Sequence, residues 1–193
     1  MSKTAKAPLI CQASRSQLLV IDVQTRLANA MMLDDMQLVI KNCRILMQAA
    51  QLLAVQTLVS EQYPKGLGET VPELLDLMVN KKPIEKIAFS CTGEAKLLAK
   101  FTTDKPQTVL AGMEAHICVL QTAMGLLKMA TPSPRQVFVA EDAIISRNPA
   151  NKTNAIARMR DAGCIITNTE SIVFEWLGVA QGDTFKQISK LIR

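Results

Sequence analysis

Cys118 has the sequence surroundings of a reactive thiol. It follows a short apolar run at 109–111 and the turn residue Gly112, and the apolar residues beyond it recur at the spacing of one helix face: Val119, Leu120, Ala123, Met124 and Leu127. This pattern predicts a strand, a tight turn and a helix, with Cys118 at or just inside the helix start. Unpaired N–H groups and the positive end of the helix dipole lower the pKa of a thiol there and can hold an oxyanion. Cys118 is therefore the candidate nucleophile, and the alternative is a cysteine packed in the core.

Asp22 and Lys86 are the candidates for the proton acceptor and the cation that a thiol nucleophile needs. Asp22 ends an apolar run, and Lys86 interrupts another, where an unpaired ammonium would be costly. The chain's single histidine, His116, lies two residues before Cys118, and residues at that spacing do not face each other on a helix. We therefore expect Asp22 to be the base and Lys86 to stabilise negative charge. The alternative for Lys86 is an edge-strand lysine whose amine reaches water.

The predicted fold brings Asp22 and Cys118 together although they are far apart in the chain. Apolar runs predict six strands, at 18–23, 57–59, 84–89, 109–111, 136–140 and 165–167. Helical patterns alternate with these strands, at 34–53, 72–78, 94–101, 151–162, 170–176 and 183–192. This alternation predicts an α/β fold: a doubly wound, six-stranded, mainly parallel sheet in the order 3-2-1-4-5-6, with helices on both faces in a three-layer α/β/α arrangement. Ligands bind such sheets at the carboxyl ends of the strands where the order reverses, between the first and fourth strands. Asp22 ends the first of these strands and Cys118 follows the fourth.

Composition limits the class of protein further. The 193 residues, 49% of them hydrophobic, fit one domain over 17–193 behind a loose arm at 1–16. The net charge of +5 is spread without a basic run, which disfavours a nucleic-acid surface. Five cysteines without a C-x-x-C pair favour a reducing, cytoplasmic setting over disulfides or zinc. No apolar stretch is long enough to predict a membrane span.

Three motifs resemble the isochorismatase-like cysteine hydrolases, over about residues 18–192. They are LLVIDVQ around Asp22, PIEKIAFS around Lys86 and AGMEAHICVLQTA around Cys118, and the loops SEQYPKGLGETVPEL and SRNPANKTNAIARMRDAG resemble the isochorismatase domain-containing branch. The resemblance implies an Asp-Lys-Cys triad whose cysteine attacks an amide-type carbonyl to give a thioester that water hydrolyses. It also implies an oxyanion hole from the backbone N–H groups of Glu114 and Cys118, beside a cis peptide between Met113 and Glu114.

Departures from the family's motifs limit the expected substrate. Nicotinamidases of the family carry an Asp-x-His…His metal site after the second strand, whereas residues 61–63 here are Glu, Gln and Tyr, so we expect no metal and no nicotinamidase activity. True isochorismatases of the family lack the cysteine, so their reaction is not expected either. By position, Gln24, Tyr63 and His116 line the pocket or are structural.

The expected protein is a metal-independent cysteine hydrolase without cofactors. It acts on a small-molecule amide or related C–N bond and forms a homo-oligomer, as relatives do. The alternative is a non-catalytic interaction or thiol-scavenging protein on the same scaffold.

Overall fold

In the computed structural model, residues 10–129 and 135–193 are described. Within them six strands form one sheet in the order 3-2-1-4-5-6, and every neighbouring pair is parallel. The strands are β1 (Ser16–Ile21), β2 (Gln56–Gln62), β3 (Ile84–Lys86), β4 (Gln107–Met113), β5 (Gln136–Ile145) and β6 (Ile165–Thr167). The predicted fold class and strand order are therefore confirmed.

Helices cover both faces of the sheet, which explains why the central strands are continuously apolar. The helices are α1 (Thr25–Ala28), α2 (Leu33–Leu52), α3 (Pro64–Leu67), α4 (Pro72–Leu75), α5 (Ala95–Leu98), α6 (Leu120–Leu127), α7 (Pro149–Asp161), α8 (Thr169–Leu177) and α9 (Gly182–Ile192). Leu18 and Val20 of β1 pack with α2, α8 and α9, while Leu19 and Ile21 pack with α5, α6 and α7 on the other face. In the described part of the chain, no helix has the length and apolar character needed to cross a membrane.

Residues 10–16 do not form the loose arm that the sequence suggested. Cys11 is fully buried, its N–H donates to Oε2 of Glu175 at 2.7 Å, and the indole N–H of Trp176 donates to its Sγ at 3.2 Å. A 3-10 turn, Ala13–Arg15, then leads directly into β1. This segment therefore packs on α8, and the remainder of the predicted arm, residues 1–9, lies outside the described residues.

Gly112 allows the close approach of β1 and β4 beside the predicted site. Its φ is +115°, and a Cβ there would overlap the backbone oxygen and nitrogen of Ile21 on β1. We expect Gly112→Ala to lower the free energy of unfolding by at least about 2 kcal/mol in urea denaturation, because the overlap is with backbone and the conformation is strained. Gly163→Ala is the matched control: its φ is +102°, but nothing lies within 4 Å of the added Cβ. Equal losses in the two variants would show that the approach to Ile21 costs nothing.

Candidate active site

Asp22 lies where the chain leaves the central strand β1. Its φ is +52°, a left-handed conformation that a non-glycine residue adopts at an energetic cost. The turn is held by hydrogen bonds from Asp22 N–H to the carbonyl of Ser60 at 3.1 Å and from Gln24 N–H to the Asp22 carbonyl at 2.8 Å. The carboxylate is fully buried, and the Ser60 hydroxyl donates to its Oδ1 at 2.7 Å. A strained, buried carboxylate at the switch point of a sheet is typical of a functional position.

Lys86 is the last residue of β3 and is paired with Asp22. Its Nζ lies 2.7 Å from Oδ2 of Asp22, and both side chains are fully excluded from solvent. The ammonium also donates to Oε1 of Gln62 at 2.7 Å and to the carbonyls of Phe89 and Ala88 at 3.1 and 3.3 Å. The alternative of an edge-strand lysine reaching water is wrong. A charge buried this deeply is tolerated because its donors find acceptors and an opposite charge.

Cys118 lies in a π-helical turn, Ala115–Val119, that runs into α6, and only 6% of it is exposed. Burial raises the pKa of its thiol to about 12. The charge of Asp22 and a hydrogen bond to its carboxylate act in the same direction, while Lys86 lowers the pKa. Burial and Asp22 therefore outweigh the lowering effect of Lys86, and the net shift of this pKa in the resting protein is upward.

The peptide bond between Met113 and Glu114 is cis, at the position implied by the family resemblance. It joins the end of β4 to the π-helical turn, in which the N–H groups of Ile117 and Val119 donate to the Glu114 carbonyl at 3.1 and 3.2 Å. Glu114 thus immediately precedes this turn, and Cys118 is its second-to-last residue. Their N–H groups stay the predicted oxyanion donors.

The side chain of Glu114 belongs to a polar network beside this turn. Its buried carboxylate lies 3.0 Å from Nε of Arg147 and 3.2 Å from Nδ1 of His116. His116 also contacts the hydroxyl of Ser146 at 3.0 Å and the amide of Asn151 at 3.3 Å. These contacts give His116 partners on the loop before α7 and on α7 itself.

Gln24 and Tyr63, which were predicted to line the pocket or to be structural, differ in exposure and in their contacts. Gln24 is fully buried, and its amide makes hydrogen bonds to both backbone groups of Gln62 and to the carbonyl of Gly68. Since these contacts occupy its amide, Gln24 supports the loops rather than offering a free polar group. Tyr63 is 51% exposed, with a left-handed φ of +38° and its N–H donating to the Lys86 carbonyl at 3.0 Å.

Sequence reasoning missed the two side chains of β2 that contact the ion pair. Ser60 and Gln62 are two residues apart, so they share one face of the strand, and they bind Asp22 and Lys86 respectively. Cys91, also buried, lies 3.7 Å from the Ser60 hydroxyl. The polar character of Ser60 and Gln62 at the carboxyl end of a buried strand could have indicated a site. The sequence pattern of residues 60–68 instead predicted a loop.

The residues at the end of β2 do not fit the metal site of nicotinamidases. Glu61 is bound through Oε1 to the N–H and hydroxyl of Thr70, and the amide oxygen of Gln62 faces the Lys86 ammonium. Among the described residues, no three His, Cys, Asp or Glu side chains are grouped so that they could hold a metal ion. Glu61 and Gln62 are therefore engaged by protein groups and do not form a metal site of that kind.

The fold and the site place the chain among the doubly wound α/β proteins whose polar groups gather at the switch point of the sheet. A family model described as the isochorismatase domain matches residues 16–171. The chain therefore belongs to the isochorismatase-like hydrolase family.

Similar proteins cover most of the chain. Isochorismatase domain-containing protein 2 of Danio rerio is 35% identical over 155 residues, 80% of this chain and 76% of that protein, and the human protein of the same name is 34% identical over 151 residues, 77% and 69%. The structure of MAR1 ribonuclease from Caenorhabditis elegans superposes with a TM-score of 0.86 at 34% identity, covering 95% of this chain and 92% of that one. The YcaC gene product of Escherichia coli, described as an octameric hydrolase of unknown specificity, shares the fold with a TM-score of 0.86 at 20% identity, covering 97% and 91%.

Proposed function

We propose that the protein is a metal-independent cysteine hydrolase that cleaves a small amide or related C–N bond through a thioester on Cys118. The observation that carries the proposal is the buried ion pair of Asp22 and Lys86 against the nearly buried thiol. A thiol nucleophile, a carboxylate that can take its proton and a cation that offsets negative charge are the groups that such a reaction needs. The membership of the isochorismatase-like hydrolase family supports the same reaction class.

In the first half of the proposed reaction, Sγ of Cys118 attacks the carbonyl carbon and its proton passes to the Asp22 carboxylate. The oxyanion accepts hydrogen bonds from the backbone N–H groups of Glu114 and Cys118, and the Lys86 ammonium offsets the added charge. The C–N bond then breaks, and the leaving nitrogen takes the proton from Asp22. Ammonia or an amine departs, and the acyl group stays on Cys118 as a thioester.

In the second half, a water molecule gives a proton to Asp22 and its oxygen attacks the thioester. The C–S bond breaks, Sγ takes the proton back from Asp22, and the acid product leaves. Each half returns Asp22 to the ionised form, so one carboxylate serves as base and acid in turn. The raised pKa of Cys118 fits this sequence, because the thiol gives up its proton only as it attacks.

Lys86→Met is expected to slow alkylation of Cys118 by iodoacetamide about tenfold, because it removes the charge that lowers the pKa of this thiol. In the wild type the pKa of about 12 lies above the range of pH 7 to 10, so the rate should rise throughout that range without a plateau. Peptide mass spectrometry measures the modification at Cys118. Lys186→Met, which removes an exposed lysine paired with Asp183, is the control. An unchanged pH profile in Lys86→Met would remove the lysine from the site, and the triad assignment would fail.

A second candidate is RNA cleavage, favoured by the 34% identity to the structure described as MAR1 ribonuclease. Incubation of the purified protein with an RNA and with a panel of small amides separates the candidates. RNA cleavage that survives Cys118→Ala, without amide hydrolysis, would overturn the proposal. Binding of thiol-reactive compounds without turnover would favour the non-catalytic, thiol-scavenging alternative.

We also propose that the protein works as a homo-oligomer in the cytoplasm. Ile87 and Phe89, on either side of Ala88, are 71% and 53% exposed, and Tyr63, whose N–H donates to the Lys86 carbonyl, is 51% exposed. Exposed apolar side chains grouped beside a site favour contact with another chain.

A further inference from the structure

We propose that Gln62 is a positioning residue that holds the Lys86 ammonium where it contacts Asp22 and offsets negative charge on Cys118. The inference rests on the proposed function, because it gives Gln62 a part in activating the same thiol. Gln62 is 8% exposed, and its contacts are with protein groups around the lysine and with Gln24.

The surroundings of Lys86 Nζ make Gln62 important for the position of the ammonium. Two side-chain oxygens lie 2.7 Å from this nitrogen, Oδ2 of Asp22 and Oε1 of Gln62, and the carbonyls of Phe89 and Ala88 lie farther away. Because Lys86 is only 1% exposed, water cannot easily replace a lost acceptor. A buried ammonium that loses an acceptor keeps an N–H without a partner, so its side chain is held less firmly in this position.

Gln62 differs from Asp22 in that it stabilises the ammonium without neutralising it. The charge of Lys86 is already matched by one carboxylate, and a second carboxylate at position 62 would leave the site with excess negative charge. A neutral amide oxygen adds no negative charge, so the positive charge of Lys86 can still stabilise the thiolate and the oxyanion. This is the contribution that we assign to the amide.

The orientation of the Gln62 amide is fixed from both sides. Its Nε2 donates to the Ile87 carbonyl at 2.8 Å, so its oxygen faces Nζ. Its backbone N–H donates to Oε1 of Gln24 at 2.8 Å, and its carbonyl accepts from Nε2 of Gln24 at 3.1 Å. β1 ends before Asp22, so it has no backbone groups to pair with Gln62. The side-chain amide of Gln24 makes these two hydrogen bonds instead and fixes the end of β2.

The inference predicts that Gln62→Met slows alkylation of Cys118 about tenfold between pH 7 and 10, since a hydrogen bond to a charged group is lost. Because Gln62 is proposed to act through the lysine, the double variant Gln62→Met, Lys86→Met should react no more slowly than Lys86→Met alone. Gln107→Met is the matched control: this buried glutamine makes its hydrogen bonds at the opposite end of the sheet, to Gln12 and Ser16 among others, and its loss should leave the alkylation rate unchanged.

The outcomes separate the inference from the proposed function. Wild-type reactivity in Gln62→Met, with slow reaction in Lys86→Met, overturns the role of Gln62 and leaves the triad intact. If Gln62→Met slows alkylation by the same factor in the Lys86→Met background as in the wild type, the role of Gln62 is also overturned. Its effect would then not depend on the lysine. Wild-type reactivity in Lys86→Met overturns the proposed function itself. If Gln62→Met does not fold by circular dichroism, Gln62→Asn keeps an amide but draws its oxygen back by one methylene, and it should slow alkylation in the same way.

Discussion

Cys118→Ala is expected to reduce hydrolysis of any amide substrate by more than about 10⁴-fold, since removal of a covalent nucleophile leaves only binding and oxyanion stabilisation. Cys118→Ser should be similarly inactive, because a hydroxyl in the same position is far less acidic than the thiol. The measurement is steady-state release of ammonia or amine from the best amide of a panel.

Cys164→Ala is the control for this prediction. Cys164 is also nearly buried, and burial alone raises the pKa of its thiol to about 12, but it lies just before β6 and is not among the predicted site residues. Its replacement should leave hydrolysis within a few-fold of the wild type. Loss of activity in Cys164→Ala equal to that in Cys118→Ala would show that the assay reports damage to the core rather than loss of the nucleophile.

Asp22→Asn is expected to change hydrolysis and alkylation in opposite directions. Hydrolysis should fall about 10²- to 10⁴-fold, because the proton acceptor of both half-reactions is gone. Alkylation of Cys118 should become faster, because the charge of Asp22 and its hydrogen bond to the thiol both raise the pKa of Cys118 in the wild type. Both rates are measured on the same preparation, well below its melting temperature, because the buried Lys86 loses its ionic partner.

Asp76→Asn is the control for Asp22→Asn. Asp76 is an exposed carboxylate paired with Lys81 at 2.7 Å, so its replacement removes an ion pair of the same type far from the thiol. Neither rate should change. A parallel fall of hydrolysis and alkylation in Asp22→Asn would contradict the role of Asp22 as base and indicate that it serves to hold the site together.

The fold could be predicted because its signals are local and repeated. Continuous apolar strands alternate with amphipathic helices, and that alternation permits few topologies. The predicted end of β3 was wrong: the strand ends at Lys86 instead of continuing to Phe89. The apolar side chains of Ile87 and Phe89 suggested a longer strand, whereas the backbone there turns and its carbonyls at Ala88 and Phe89 bind the lysine amine.

The charged members of the site could be found because they stand where apolar residues are expected. Asp22 at the end of one strand and Lys86 in another are conspicuous for this reason. Gln62 and Ser60 were missed because residues 60–68 were interpreted as a loop, where polar residues are expected. Their importance appears from what they contact. The direction of the Cys118 pKa shift was also beyond the sequence, because it depends on the depth of burial and on the distances to Asp22 and Lys86.

The most direct test of the account is to trap the acyl group on Cys118. The protein is mixed with a panel of small amides, quenched in acid within the first turnover, and studied by intact and peptide mass spectrometry. The account predicts an added mass equal to the acyl part of the amide, on the peptide that contains Cys118, which accumulates in the wild type and is absent from Cys118→Ser. Amide hydrolysis that proceeds at the wild-type rate in Cys118→Ala, with no acyl adduct at any time, would contradict it.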